Sequence, residues 1–497
     1  MTGLKTSGEN LPVLEICRRL ADELRRSGVR FLHWKSNNHL DEALAGLTDL
    51  DILVDGEGSG TFREVVTKLG GMEVISPAWG RYPEVEDWLL MDSASGRMVH
   101  LHAHFILVTG LKRVKHLYLP WAGRMLESRR ESKGGWMVPA PEFELLVLLI
   151  RIWAKMPTWR RLVSPTVPRS IMEELSWLQG QVKAEDLHEL ARELGVEFNA
   201  GLPLRDEREA ISQARALYAQ TRRHYRMSWP RALWSWAELG LRKWLAKTRL
   251  KIAGPVRYRK TIRNGGLMVA VVGVDGSGKS TVTNELTSWL RYKIDAHCLY
   301  MGSGDGRAGL VNGLRKRISR AIRKMRRKKK SGKGAAAAGS KPAGPAPFGK
   351  KLYRLLDLLL VRRKLKYLRR ARRMADEGSV MILDRYPQPQ FTGINDGPRQ
   401  KDGRGFDWAW KMEERLLREA EALGPDLVLR LDIDPEVALA RKRDHDKDAV
   451  RRKAEILPQL TFGTAKIVPI DASMPLDEVL LAAKSTIWNE LTGGGGE

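Results

Sequence analysis

Residues 271–281 read VVGVDGSGKST, and this stretch decides how the C-terminal half of the chain is read. Gly273 to Ser280 fit the pattern Gly-x-x-x-x-Gly-Lys-[Ser/Thr] in full. An apolar run, LMVAVVG, leads into the pattern and a helix-like segment, STVTNELTSWLRYK, follows it, so the loop is expected to join a buried strand to a helix. In that setting Gly273, Gly276, Ser277, Gly278 and Thr281 offer backbone N–H groups to phosphate oxygens at a helix N-terminus. Lys279 reaches the outer phosphates and Ser280 ligates Mg²⁺, which makes ATP and Mg²⁺ the expected donor and cofactor. One residue is out of keeping with an anion-binding loop. Asp275 puts a carboxylate in its middle.

Two further parts of a phosphoryl-transfer site lie downstream. Asp384 closes the strand-like run VMIL and is the candidate metal-organising acid, followed directly by Arg385 and Tyr386. A cationic cover is needed because charge spreads over the transferring group, and Arg441, Lys442, Arg443, Lys447, Arg451, Arg452 and Lys453 follow the strand DLVLRLDI; Arg441 and Arg443 are the candidates assigned to catalysis. Strands alternate with helices from 263 to 497, which predicts an α/β, doubly wound parallel sheet.

These residues resemble the thymidylate kinase family of nucleoside monophosphate kinases, through GVDGSGKST, LDRY, PDLVLRLDIDPEVALARKRD and IDASMPLDEV. The resemblance implies a P-loop kinase in which Asp275 accepts a hydrogen bond from an acceptor hydroxyl and Arg385 binds the acceptor's phosphate. The sequence departs from the family at MGSGDGRAG, where an Arg-Pro-Gly-Gly segment is usual, and at PQPQFTGINDGPRQ, which lacks the Ser and Ala-Tyr-Gln pattern associated with thymine. The acceptor therefore stays open among a nucleoside monophosphate, a sugar phosphate and another small phosphorylated molecule.

The chain has 497 residues, enough for two or three domains, and carries a net charge of +27, which implies anionic partners. Eleven of the sixteen residues from Arg315 to Lys330 are Lys or Arg, and a low-complexity stretch follows, so 315–350 reads as a basic insert in the kinase-like region. Leu310 to Lys330 reads as an amphipathic helix, suited either to an anionic membrane surface or to the core beside a basic tail. Nucleic acid ranks below these partners because aromatics are not interleaved with the basic residues, and a homodimer is compatible with the organisation. No apolar run is long enough to cross a bilayer, no secretory leader is read at the N-terminus, and with only two cysteines the expected location is cytoplasmic, with peripheral membrane attachment as the variant.

Before about residue 135, short strand candidates (RFLHW, TDLDILVD, MEVISP, DWLLMD, GRMVHLHAHF) predict an α+β domain. Lys35 and Ser36 precede Asp49 and Asp51, two acids at i and i+2 on a strand and thus on one face, where they can share divalent metal. This resembles the polymerase β-like nucleotidyltransferase superfamily, which implies metal at Asp49 and Asp51 and a triphosphate at the Lys35–Ser36 turn. The third carboxylate of that arrangement is replaced by His100 or His102, and His100, His102 and His104 alternate as a second metal candidate.

Residues 136–262 read as a helical region, ending in a segment where Trp229, Trp234, Trp236 and Trp244 lie among Arg and Lys; packing between domains and a seat at a membrane interface both suit it. The expected organisation is thus 1–135, 136–262 and 263–497. Two functions compete. One is an ATP-dependent kinase fused to a nucleotidyltransferase-like domain. The other is a nucleotide-switched binding protein recruited by basic helices to membrane or nucleic acid.

Overall fold

The computed structural model describes residues 11–252, 258–301, 347–392, 398, 407–441 and 447–494. The described residues form two compact units, one running up to Arg263 with those from Trp488 on, the other from Asn264 to Ile487. The basic insert expected at 315–350 lies outside the described residues except for its last four positions, and the amphipathic helix expected at 310–330 lies wholly outside them.

In the first unit, α1 (Glu15–Arg26) buries Cys17, Leu20, Ala21 and Leu24, the face expected from the 3.6-residue period, and the chain leaves the helix through Gly28 at φ 70°. Six strands follow: β1 (Phe31–His33), β2 (Leu50–Val54), β3 (Met72–Ile75), β4 (Val85–Met91), β5 (Met98–His104) and β6 (Thr261–Ile262). They form one mixed sheet in the order β1-β2-β5-β4-β3-β6, in which only the β2–β5 pair is parallel.

The helices are α2 (Pro141–Lys155), α3 (Arg169–Gln179), α4 (Ala184–Glu193), α5 (Glu207–Gln220), capped by the Asp206 side chain, and α6 (Trp229–Ile252). The apolar run LLVLLI makes α2 hydrophobic all round, so it sits in the middle, with α3, α4 and α5 packed around it. Its Phe143, Leu146 and Leu149 share one core with Leu32, Trp34 and Leu53 from the sheet. The described residues of 1–135 and of 136–262 fall in one compact unit, in which α2 and this sheet face bury one another.

The second unit is a five-stranded, all-parallel sheet: β7 (Leu267–Gly273), β8 (Ala296–Tyr300), β9 (Val380–Asp384), β10 (Leu427–Asp432) and β11 (Lys466–Asp471), in the order β8-β9-β7-β10-β11. Every residue of β7 is buried, as a central strand covered on both faces requires. Its helices include α7 (Lys279–Leu290), α8 (Pro347–Asp376), α9 (Asp407–Ala422) and α10 (Lys447–Ile456). This mixed α/β architecture with a parallel sheet fits a P-loop kinase fold. Strand order reverses beside β7, so the loop after β7 opens at the switch point where such sheets bind ligands.

Gly266, at the foot of β7, has room for no side chain: a Cβ there would meet the Ser379 carbonyl oxygen at 1.9 Å. The obstacle is backbone and cannot rotate away. Gly266→Ala should destabilise this unit by about 1–3 kcal/mol, read as a lower urea midpoint at an unchanged m-value.

Candidate active site

Gly276 (φ 96°) and Gly278 (φ 84°) take the left-handed conformation that lets the loop turn from β7 into α7. The loop also lies hard against its surroundings, since a Cβ on Gly276 would meet the Ala438 carbonyl oxygen at 2.5 Å. At the start of α7, Lys279 is buried and its Nζ donates to the Val274 carbonyl at 2.6 Å. Ser280 Oγ donates to Asp384 Oδ2 at 3.1 Å. Asp384 is buried, and its other oxygen, Oδ1, has no hydrogen-bond partner. An orphaned carboxylate oxygen beside a serine hydroxyl is a hard-oxygen donor set, and it fits Mg²⁺. The parallel pairing of Val271 with Asp384 sets the carboxylate at the mouth of the loop.

Asp275 is not idle. Arg385 Nη2 donates to its Oδ1 at 3.2 Å and Lys453 Nζ to its Oδ2 at 2.5 Å. Burial works against the charged carboxylate, but the hydrogen bond and charge of Lys453, with Lys279 and Arg385, hold its pKa down to about 2. Burial and the nearby Arg385 push the Lys279 pKa down as well, to about 8, against the opposing pull of Asp275 and Asp384. Arg385 is a non-glycine residue at φ 73°, anchored by its N–H to the Val271 carbonyl, and its buried Nε has no partner.

The expected cationic cover resolves unevenly. Arg441 turns to the Ala472 carbonyl (Nη1 to O, 2.9 Å), and among the described contacts none joins it to Asp275, Lys279 or Asp384. Arg451 pairs with Glu436, and Arg443 lies outside the described residues. Lys453, one of seven equivalent-looking cations in the sequence, is the one that among the described residues reaches the loop. Nothing in the local sequence singles it out, because its reach depends on where α10 packs.

In the first unit, Asp49 and Asp51 face the histidines of β5. Asp49 Oδ1 lies 3.0 Å from His100 Nδ1, and His100 Nε2 lies 2.9 Å from Asp87 Oδ1. Asp51 Oδ1 lies 2.5 Å from Lys35 Nζ, 3.0 Å from His102 Nδ1 and 3.8 Å from His104 Nε2. One ligand atom each from Asp51, His102 and His104 fall within 4.8 Å of one another. Asp49 is not in that group, because it precedes β2 and is turned to His100. The turn expected to hold a triphosphate is otherwise engaged: Ser36 N–H donates to Glu174 Oε1 at 3.1 Å, and Asn37 N–H to Glu144 Oε1 at 3.0 Å. Both carboxylates are buried and hold the places an anion would take.

Comparison with known proteins bears on the kinase-like part. The "Uncharacterized ATP-binding protein YghS" of Escherichia coli is 34% identical over 230 residues, covering 45% of this chain and 94% of its own length. The chain belongs to the YghS family. A "Probable thymidylate kinase" of Archaeoglobus fulgidus is 25% identical over 221 residues, 43% of this chain and 90% of its own length. Together these give the chain a thymidylate-kinase-like P-loop region over about 45% of its length. A solved thymidylate kinase structure from Candida albicans aligns at 18% identity and a TM-score of 0.29, over 46% of this chain and 93% of its own. No family model matches the chain.

The electrostatics of the YghS-like site make a signed prediction. Asp275 raises the pKa of Lys279, so Asp275→Asn should lower it further from about 8. An NMR titration of Lys279 in protein carrying ¹³C-labelled lysine reads this directly; an unchanged or raised value would contradict the arrangement.

Proposed function

We propose that the unit from Asn264 to Ile487 transfers the terminal phosphoryl group of ATP to a small phosphorylated acceptor, with nucleoside monophosphates of the thymidylate kind first among the candidates. The observation that carries this reading is the meeting of Lys279, Ser280 and Asp384 with Asp275, Arg385 and Lys453 around one loop at the ends of parallel strands. The naming of YghS as ATP-binding and of the archaeal relative as a probable thymidylate kinase supports it.

In this reading the N–H groups at the start of α7 hold the donor phosphates, and Lys279 leaves the Val274 carbonyl to neutralise charge on the transferring group. Asp384 and Ser280 would hold Mg²⁺, which when bound offsets the charge of the donor phosphates. Arg385 keeps Nη2 on Asp275 and offers its unpartnered Nε to the acceptor's phosphate. Asp275, kept ionised by Lys453, accepts a hydrogen bond from an acceptor hydroxyl.

The test uses the full chain with ATP, Mg²⁺ and a panel of nucleoside monophosphates and sugar phosphates. ADP should form only when an acceptor is present. Lys279→Ala should slow transfer by about a hundredfold or more while keeping its circular dichroism spectrum and melting temperature. ATP turnover that ignores every acceptor and responds instead to vesicles or polynucleotide would favour the nucleotide-switched binding protein.

A second reading concerns the first unit. We infer a divalent-metal site at Asp51, His102 and His104, in a scaffold of nucleotidyltransferase-like form that binds metal and does not transfer nucleotide. The support is the convergence of the three ligand atoms, and the two ring nitrogens of His104, buried with no hydrogen-bond partner. Burial lowers the His104 pKa to about 3, which leaves the neutral imidazole that ligates metal. The loss of free amides at Ser36 and Asn37 weighs against a triphosphate there. Co²⁺ added to the full chain should give a visible spectrum with nitrogen ligation, and His104→Ala should weaken binding by about tenfold or more. A spectrum that survives His104→Ala and Asp51→Asn unchanged would dispose of the site.

A further inference from the structure

Helix α6 presents an apolar face that the other described residues do not cover. Trp234 is 74% exposed, Leu241 57%, Trp244 60% and Leu245 43%. At 100° per residue these four fall within one sector of the helix. The opposite side carries its attachment: Ala232 is buried with Leu111 and Val114, Arg113 lies over the Trp236 ring at 5.4 Å and donates to the Trp236 carbonyl at 3.4 Å. The outward sector is therefore oriented by contacts on the inward one and is not an accident of a loosely placed helix.

Cations outnumber acids around this face. Glu238 is the single acid between Trp229 and Ile252, and Arg242 pairs with it at 2.6 Å. Arg231, Lys243 and Lys247 lie on the same helix, and Lys112 and Arg113 come from the neighbouring loop. Lys243 stands on the inward side of the helix, where partial burial and then Lys112, Arg113 and Lys247 push its ammonium below the ordinary lysine range. Large exposed aromatics flanked by cations suit the boundary between lipid headgroups and acyl chains, where indole sits with its ring in the apolar layer and lysine or arginine reaches the phosphates. Among the described residues no helix is long and apolar enough to cross a membrane, so the fitting geometry is adsorption.

We propose that α6 docks the protein on an anionic phospholipid surface, with Trp234, Leu241, Trp244 and Leu245 entering the interface and Arg231, Arg242 and Lys247, which flank that sector, facing the headgroups. The occupant is argued from charge complementarity: a neutral apolar partner would leave the cationic rim unanswered. This proposal does not rest on the phosphoryl-transfer reading.

The experiment is co-sedimentation of the full chain with vesicles of phosphatidylcholine alone and of phosphatidylcholine with about a third phosphatidylglycerol. Binding should favour the anionic vesicles and weaken with salt. The chain also carries the basic run 315–330, so the variants of α6 decide. Trp234→Ser with Trp244→Ser should lower partitioning onto anionic vesicles by about tenfold or more, and Arg231→Gln with Lys247→Gln should flatten the salt dependence. Because these side chains are exposed, the variants should melt with the parent. Unchanged partitioning of the double tryptophan variant overturns the proposal. So does a drop in molecular mass by light scattering in that variant with no change on vesicles, which would assign the face to a second copy of the chain.

Discussion

The carboxylate of Asp275 ties together three segments that the chain brings from far apart: the loop after β7, the end of β9 through Arg385, and α10 through Lys453. Without it, three cations, Arg385, Lys453 and Lys279, would crowd one half-buried space with only Asp384 to answer them. Breaking a buried ion cluster by removing one partner costs far more than the pair contributes net, because the remaining charges stay dehydrated. The presence of an acid in this glycine-rich loop thus has a physical reason. The acid lets the site hold more positive charge than it could otherwise keep folded, and that charge is then in place when an anion arrives.

The same pairing sets limits on the cations. Arg385 spends one guanidinium nitrogen on Asp275 and keeps Nε buried and unpartnered, a cost the fold accepts alongside a left-handed backbone at the same residue. Two unfavourable local features at one arginine, next to an orphaned Asp384 oxygen, mark where the structure is organised for something other than its own stability.

What could be read from the sequence follows the range of the interactions involved. The parallel sheet was legible because β7 is a continuous apolar run and the turn after it has a fixed glycine pattern, both of which are local. Lys279, Ser280 and Asp384 were legible for the same reason, each standing at a strand or helix end. Lys453 could not be told from Arg441, since both are cations after one strand and only the packing of α10 decides which reaches Asp275. The helical period of 136–262 gives no sign of what α2 packs against. Likewise Glu144 and Glu174 lie 107 and 138 residues from the amides they accept. No spacing rule connects them.

The histidine triplet of β5 shows how far sheet register alone can carry an arrangement. β2 and β5 run parallel with Asp51 opposite His102, and β4 runs antiparallel to β5 with Asp87 also opposite His102. Residues at i, i+2 and i+4 share a face, so His100, His102 and His104 must all look at the carboxylates of the two flanking strands. A slip of one residue would turn all three to the other face and leave Asp51 and Asp87 without partners. Register therefore explains why the imidazoles and acids pair. It does not explain the two unpartnered nitrogens of His104, since a residue needed only for packing beside Trp34 would be served as well by an apolar side chain. That surplus of ligating capacity, in a place where burial keeps the ring neutral, is what sets His104 apart from an ordinary ladder of ion pairs.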